Sequence, residues 1–201
     1  MQRAETTLER LRRLAPWALG ALALSLSQPA EATVFRAISL DEMARRADAV
    51  AVLMGPPDTA AASRSYWLGR RIVTEQTLTV VGVLADRTGL LRQASGPLVL
   101  TIPGGRVGPH VQTVAGAPEP RPNAVQTVFL QRLRDGRWVV YDMALGLLPM
   151  RPDGRGGWWV SPPDTRGIER VDGDTGAAPL AMPAEGLSLT ALQGRIERAA
   201  P

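Results

Sequence analysis

The chain has 201 residues, with 23 Lys plus Arg against 19 Asp plus Glu, a single histidine and no cysteine. Every basic residue is an arginine and acidic residues are interspersed throughout (Glu75, Asp86, Glu119, Asp135, Asp142, Asp153, Asp164), so a net charge of +4 gathers on no single face and argues against a nucleic-acid partner. The lack of cysteine excludes disulfides, thiol catalysis, iron–sulfur ligation and Cys-linked lipid anchoring, so a core must hold the fold alone.

Residues 1–32 read as an export signal. Arg3, Arg10, Arg12 and Arg13 form a basic region, Leu14 to Leu26 an apolar run, and Ala30-Glu31-Ala32 an A-x-A cleavage site. The run falls short of the about 20 apolar residues a spanning helix needs. Cleavage is expected after Ala32, leaving no stable membrane span and placing the product in the periplasm or outside the cell.

Residues 33–150 carry the features of a β-barrel-like domain. Ser39-Leu40-Asp41-Glu42 fits a capping box, with Glu42 reaching back to the start of a helix of about nine residues whose Leu40, Met43, Ala44 and Ala47 share one face. Ala49 to Met54 follows as a buried strand, then Asp58 to Ser65 as a mobile loop. Arg70 to Leu84 is the longest strand signal, with Gly82 marking a bend or bulge.

Leu98 to Ile102 predicts a strand that breaks at Pro103-Gly104-Gly105, followed by a short Val111 to Val114. Pro118, Pro120 and Pro122 keep the next connection extended. Val125 to Leu133 and Trp138 to Leu145 form an antiparallel hairpin across Arg134-Asp135-Gly136-Arg137, where Asp-Gly is the strongest turn cue in the chain. Gly146 to Met150 extends that second strand or begins another. Residues 151–186 read as a Pro- and Gly-rich irregular segment with Trp158-Trp159-Val160 as its one strand-like island. Residues 187–201 hold a C-terminal helix capped at Ser188, with Leu189, Leu192 and Ile196 at helical spacing.

These elements predict a mainly β fold: a small OB-like or partly open antiparallel barrel with a short N-terminal helix and a C-terminal helix.

No catalytic, metal or cofactor signature stands out. His110 has no cysteine or carboxylate at zinc-ligand spacing, and no serine sits in a Gly-x-Ser-x-Gly elbow. Gly104-Gly105-Arg106-Val107-Gly108 lacks the Gly-Lys-Ser/Thr ending of a phosphate-binding loop and reads as a turn. His110 itself reads foremost as a loop residue without catalytic duty, and stands with the tryptophans and Tyr66 below as a candidate binding residue. The residues with binding chemistry are aromatic. Trp158 and Trp159 point to opposite faces of a strand, so one can join the core while the other, near Arg151, Arg155 and Arg166, meets a protein or a sugar. Tyr66 and Trp67, beside Arg70 and Arg71, pose the same question.

The order of motifs resembles a family of uncharacterised exported bacterial proteins. The matching residues are Ala47-Asp48 at a helix end; Val73-Thr74 with Leu78, Val80, Val83 and Leu84 on a long strand; Pro103-Gly104-Gly105 with Gly108; Gly116-Ala117-Pro118; Val128-Phe129-Leu130; and Asp135-Gly136-Arg137-Trp138-Val139-Val140. They span roughly Ser39 to Met150. The resemblance implies no activity and no catalytic residues. In the proline loop the chain departs from the family, with Pro120 and then Asn123-Ala124 where the family places an aromatic and Gly-Glu. At the level of fold, the helix–strand order is also similar to the OB-like barrels of netrin-type inhibitor domains.

The function expected is therefore a non-catalytic binding or interaction module with a protein or glycan partner. The alternatives are a secreted hydrolase using scattered carboxylates or Ser/His, and a protease-inhibitor-like domain presenting Ala115 to Asn123.

Overall fold

The computed structural model of the chain describes residues 38–93, 96–164 and 180–199. The expected signal segment, and most of the expected irregular segment, lie outside them. In chain order the described elements are β1 (Ile38–Ser39), α1 (Leu40–Arg46), β2 (Ala49–Met54), β3 (Ser63–Leu68), β4 (Arg71–Asp86), α2 (Leu90–Gln93), β5 (Leu98–Pro103), β6 (Gly105–Val107) and β7 (His110–Gln112). They continue with β8 (Val125–Arg132), β9 (Trp138–Val140), a 3-10 turn (Met143–Gly146), β10 (Leu147–Pro152), β11 (Trp158–Val160), β12 (Leu180–Ala181), β13 (Leu187–Ser188) and α3 (Leu189–Ala199).

Five strands close a barrel. β2 lies between β4 and β8, β5 joins β4 to β9, and β9 returns to β8. Four of these pairings are antiparallel, but β5 and β9 run parallel, with Leu100 opposite Trp138. The structure bears out the expected small β-barrel with its N-terminal and C-terminal helices, and makes it a closed one: the hairpin strand β9 folds back beside β5, in the barrel's one parallel pairing, and shuts the sheet on itself. β4 is long enough to serve two neighbours along one edge, pairing with β3 through Gln76 and with β2 from Thr79 onward. Its register against β2 shifts twice, skipping Val81 and Leu84. These bulges flank Gly82 and supply the curvature that closure requires.

Alternation along the strands sorts the side chains into two cores. Ala49, Ala51, Leu53, Leu78, Leu98, Leu100, Val128, Leu130 and Val140 fill the barrel lumen, joined by Leu91 of α2. Val50, Phe129 and Leu148 point the other way and meet Leu40, Met43 and Ala44 of α1 and Leu192 and Ile196 of α3. The lumen wall also carries Gln76, opposite Leu100, and Gln126, opposite Leu53. Both are buried, and Gln76 Nε2 and Gln126 Oε1 lack hydrogen-bond partners.

The helix α1 starts as its sequence predicts. Ser39 is the N-cap and its Oγ accepts the Glu42 N–H at 3.1 Å. The reciprocal half of the expected capping box is replaced, because the Glu42 carboxylate pairs with Arg46 at 2.7 Å one turn on. At the other end of α1, the Arg87 guanidinium donates to the carbonyls of Ala44, Arg45 and Ala47, with Ala47 O at 2.9 Å. It thereby satisfies acceptors that a helix terminus otherwise leaves orphaned.

Three further expectations are corrected. The predicted loop Asp58 to Ser65 is a loop only at its start, where Asp58 Oδ1 accepts the Ala60 and Ala61 N–H groups at 2.9 and 3.1 Å. From Ser63 it is strand, because β4 offers a free edge for six residues of pairing. The hairpin strand from Trp138 ends at Val140 rather than Leu145. Asp142 and Met143 then adopt φ of 55° and 56°, turning the chain so that β10 takes over the β8 edge that β9 has left. The segment after Arg151 begins as a β10–β11 hairpin, tightened by Asp153 Oδ1 accepting from Arg155 N at 2.7 Å and Gly157 N at 2.8 Å.

Candidate functional site

The pairing of β3 with the first half of β4 positions the aromatic residues. Partners across an antiparallel pair share a face, so Trp67 lies with Ile72 and Ser65 with Thr74, while Tyr66 lies with Val73 and Arg64 with Glu75 on the opposite side. Tyr66 and Trp67 therefore serve different faces of one ribbon.

On the Trp67 side the β6–β7 hairpin is fastened to the ribbon. Thr74 Oγ1 donates to Gly104 O at 2.8 Å and lies 2.8 Å from Ser65 Oγ, and Gln112 Oε1 accepts the Ile72 N–H at 2.6 Å. Gly105, with φ 135°, makes this approach possible: a Cβ there would stand 2.3 Å from Thr74 Oγ1 and 2.6 Å from Ser65 Oγ. The fastening brings His110 of β7 against Trp67, ring centroids 5.6 Å apart at 67°, an edge-to-face contact. Trp67 keeps 48% of its surface exposed, and the chain neighbours Leu68 and Val111 keep 40% and 57%.

On the Tyr66 side the groups are polar. Tyr66 donates its hydroxyl to Glu75 Oε1 at 2.9 Å. Arg137, directly after the Asp-Gly turn, grips Asp135 Oδ2 through Nε at 2.9 Å and Nη2 at 2.5 Å. Glu75, Thr101, Arg137 and Trp138 line a cleft of about 290 Å³, and the Arg132 guanidinium lies 5.4 Å from the centroid of the Trp138 ring. Partial burial and the bond to Glu75 raise the Tyr66 phenol above its ordinary range. The side-chain bond from Arg137 holds the Asp135 carboxyl below its own. Both shifts favour the protonation states already present at neutral pH, so the cluster is a fixed polar surface.

Of the residues singled out from sequence, Trp67 and His110 are brought together and Tyr66 stands beside them on the other face. Trp158 and Trp159 lie elsewhere, on β11. Val160 of that strand is fully buried in the outer core, but both indoles are only half-buried, and Trp159 Nε1 donates to Glu185 O at 2.6 Å. Both indoles are thus partly covered, as side chains lying over the flank of the domain are, and neither is a core residue. That Glu75 and Arg137 line one cleft was not legible, since β4 and the turn before β9 come together only where β5 lies between β4 and β9 in the closed barrel. The Asp-Gly-Arg turn was their one local sign.

The segment Ala115 to Asn123 lies along the barrel with Pro118 and Pro120 buried and Glu119 and Arg121 outward. Its backbone is tied down by Ala144 N to Gly116 O at 3.0 Å and Asn123 N to Pro56 O at 3.4 Å. Among the described residues no three His, Cys, Asp or Glu side chains are grouped to hold a metal ion, and no helix is long and apolar enough to cross a membrane. No family model, curated protein or solved structure matches the chain.

Proposed function

We propose that the protein is an exported binding module, without a catalytic role, that takes an extended polypeptide partner along β3, with Trp67 as the anchoring side chain. The observation that carries this reading is the half-exposed Trp67 ring, held in one orientation by His110 and by the hairpin fastened beneath it. A rigid aromatic that is already ordered loses little entropy on binding, which is why such residues dominate interface energetics.

The strand beside it suits a polypeptide. Among the described residues only β4 pairs with β3, and an edge strand of this kind accepts an added strand through its main-chain groups. A sugar would stack on the same ring without using that edge. Export is supported by the basic region, apolar run and A-x-A site of residues 1–32.

The test is quantitative capture from the envelope and secreted fractions of the producing cell, using wild type, Trp67→Ala and the double variant Trp158→Ala, Trp159→Ala, each verified as folded by circular dichroism. A stoichiometric polypeptide lost only with Trp67→Ala, and with amides of β3 protected from hydrogen exchange in the complex, is the expected result. Retention of the partner by Trp67→Ala overturns the reading, as does a glycan ligand that leaves β3 exchange unchanged. An intact mass starting at Met1 in the exported fraction would refute signal cleavage.

A further inference from the structure

The open side of β3 has a defined register. Thr77 N donates to Ala62 O at 3.0 Å, which fixes the phase of the β3–β4 ladder. In an antiparallel pair, hydrogen-bonded and non-bonded residues alternate. Arg64, Tyr66 and Leu68 therefore direct their main-chain groups to β4, while Ser63, Ser65 and Trp67 turn theirs to the free edge. Ser63 N is taken by Ala60 O at 3.4 Å. Ser65 and Trp67 are left as the β3 residues that offer both an N–H and a C=O to an incoming strand.

The two faces of that edge differ in charge. Arginines spread along the sequence are gathered here by pairing: residues 63–78 carry Arg64, Arg70 and Arg71 against the single carboxylate of Glu75. Arg64 shares the Tyr66 face, and Arg71 joins it opposite Leu68. All three arginines are exposed, and none forms an ion pair among the described residues. Glu75 already accepts from the Tyr66 hydroxyl. On the other face, Ser63, Ser65 and Trp67 carry no charge.

We infer that the polypeptide added to β3 is acidic, with carboxylate side chains at alternate positions beside Arg64 and Arg71 and an apolar side chain between them packed on Trp67. This rests on β3 being the docking edge and adds the chemistry of what docks. Partner residues opposite Ser65 and Trp67 exchange main-chain bonds with them and share their face, and the residues between fall on the arginine face. There the carboxylates meet guanidiniums that have no ion-pair partner among the described residues, which gives selectivity over other extended chains more than raw affinity. A second copy of this chain is disfavoured as the occupant, because it brings its own Arg64 and Arg71 to the same seam.

The test uses three fluorescent heptapeptides of the form Ser-X-Phe-X-Phe-X-Ser, with X as Glu, Gln or Lys. Each reads the same in both directions, so either strand orientation presents the same faces. Binding is followed by anisotropy and by hydrogen exchange of the β3 amides. At low ionic strength the Glu peptide should bind about tenfold more tightly than the Lys peptide, with Gln between them, and protect the Ser65 and Trp67 amides. Most of that preference should disappear at high ionic strength and in the double variant Arg64→Gln, Arg71→Gln. Equal binding of all three peptides with those amides protected, or an unchanged preference in the double variant, overturns the acidic partner and leaves β3 as the docking edge. Binding of the Glu peptide that leaves the amides unprotected and survives Trp67→Ala refutes the edge itself. Absence of saturable binding by the Glu peptide, tighter binding of an oligothymidylate, or protection of the same amides by self-association also overturns the inference, and capture with Trp67→Ala then judges the edge alone. The wild-type comparison of the three peptides decides the matter should the double variant fail to fold.

Discussion

The two cores of this molecule treat buried polarity differently. In the outer core, between the barrel wall and helices α1 and α3, the buried Thr127 hydroxyl finds Met150 Sδ at 3.0 Å, and the remaining side chains are apolar. In the lumen, Gln76 and Gln126 occupy inward positions on neighbouring rows of Leu and Val and keep unpartnered amide atoms. The outer core is thus optimised as packing alone. The lumen carries a cost that packing does not require, and such costs mark places where a chain has been held to something besides stability.

The sharpest way to break this comparison is to damage the outer core. Phe129 is fully buried there, and Phe129→Ala should cost about 3–5 kcal/mol in urea unfolding; a loss below about 1 kcal/mol would show that the helices contribute little to the fold. In the lumen the expected sign reverses. Gln76→Met keeps the shape of the side chain and removes the orphaned donor, so unfolding free energy should hold or rise by up to about 1 kcal/mol. A clear loss would mean that Gln76 is satisfied and that the two cores are alike.

The smallest effect concerns Asp142. Burial raises its carboxyl above the ordinary range, with nearby Arg46 acting in the opposite sense. A raised folded value means that the stabilising contribution is complete below about pH 3.8 and is lost as pH rises through the folded value. At neutral pH the charged form is a penalty. Asp142→Asn, which also suits the left-handed φ of 55°, should raise Tm by about 1–3 °C at pH 7. That gain should vanish near pH 3.5. An equal gain at both pH values would assign it to the backbone instead of the charge.

Much of the fold was legible because it depends on local rules. Ser39 caps a helix wherever it precedes one, β2 ends at Met54 because Gly55-Pro56-Pro57 follows, and Asp135-Gly136 makes the hairpin turn through Gly136 at φ 88°. What failed was decided by neighbours distant in sequence. Ser63 to Leu68 has no strong strand pattern and becomes a strand because β4 continues beyond β2. Trp138 and Leu100 lie parallel because the barrel closes, and nothing within either segment says so. The site divides the same way: exposed aromatics can be nominated from composition, whereas the contact of Trp67 with His110 depends on Gly105 letting one hairpin lie on another.

The position of β2 has a kinetic consequence. It is the first barrel strand in the chain, yet Ala49 pairs with Leu130, near the end of β8, and Asp48 Oδ2 receives the N–H of Arg132 at 2.8 Å. The local β4–β5 pairing can form early, but β2 gains its second neighbour only after the whole intervening loop is closed, a step whose entropy is lost before any contact repays it. Folding should therefore be limited by the arrival of β8. Until then the apolar edge of β2 stands open, so the same strand that centres the finished barrel is the stretch most exposed to aggregation while the barrel is being made.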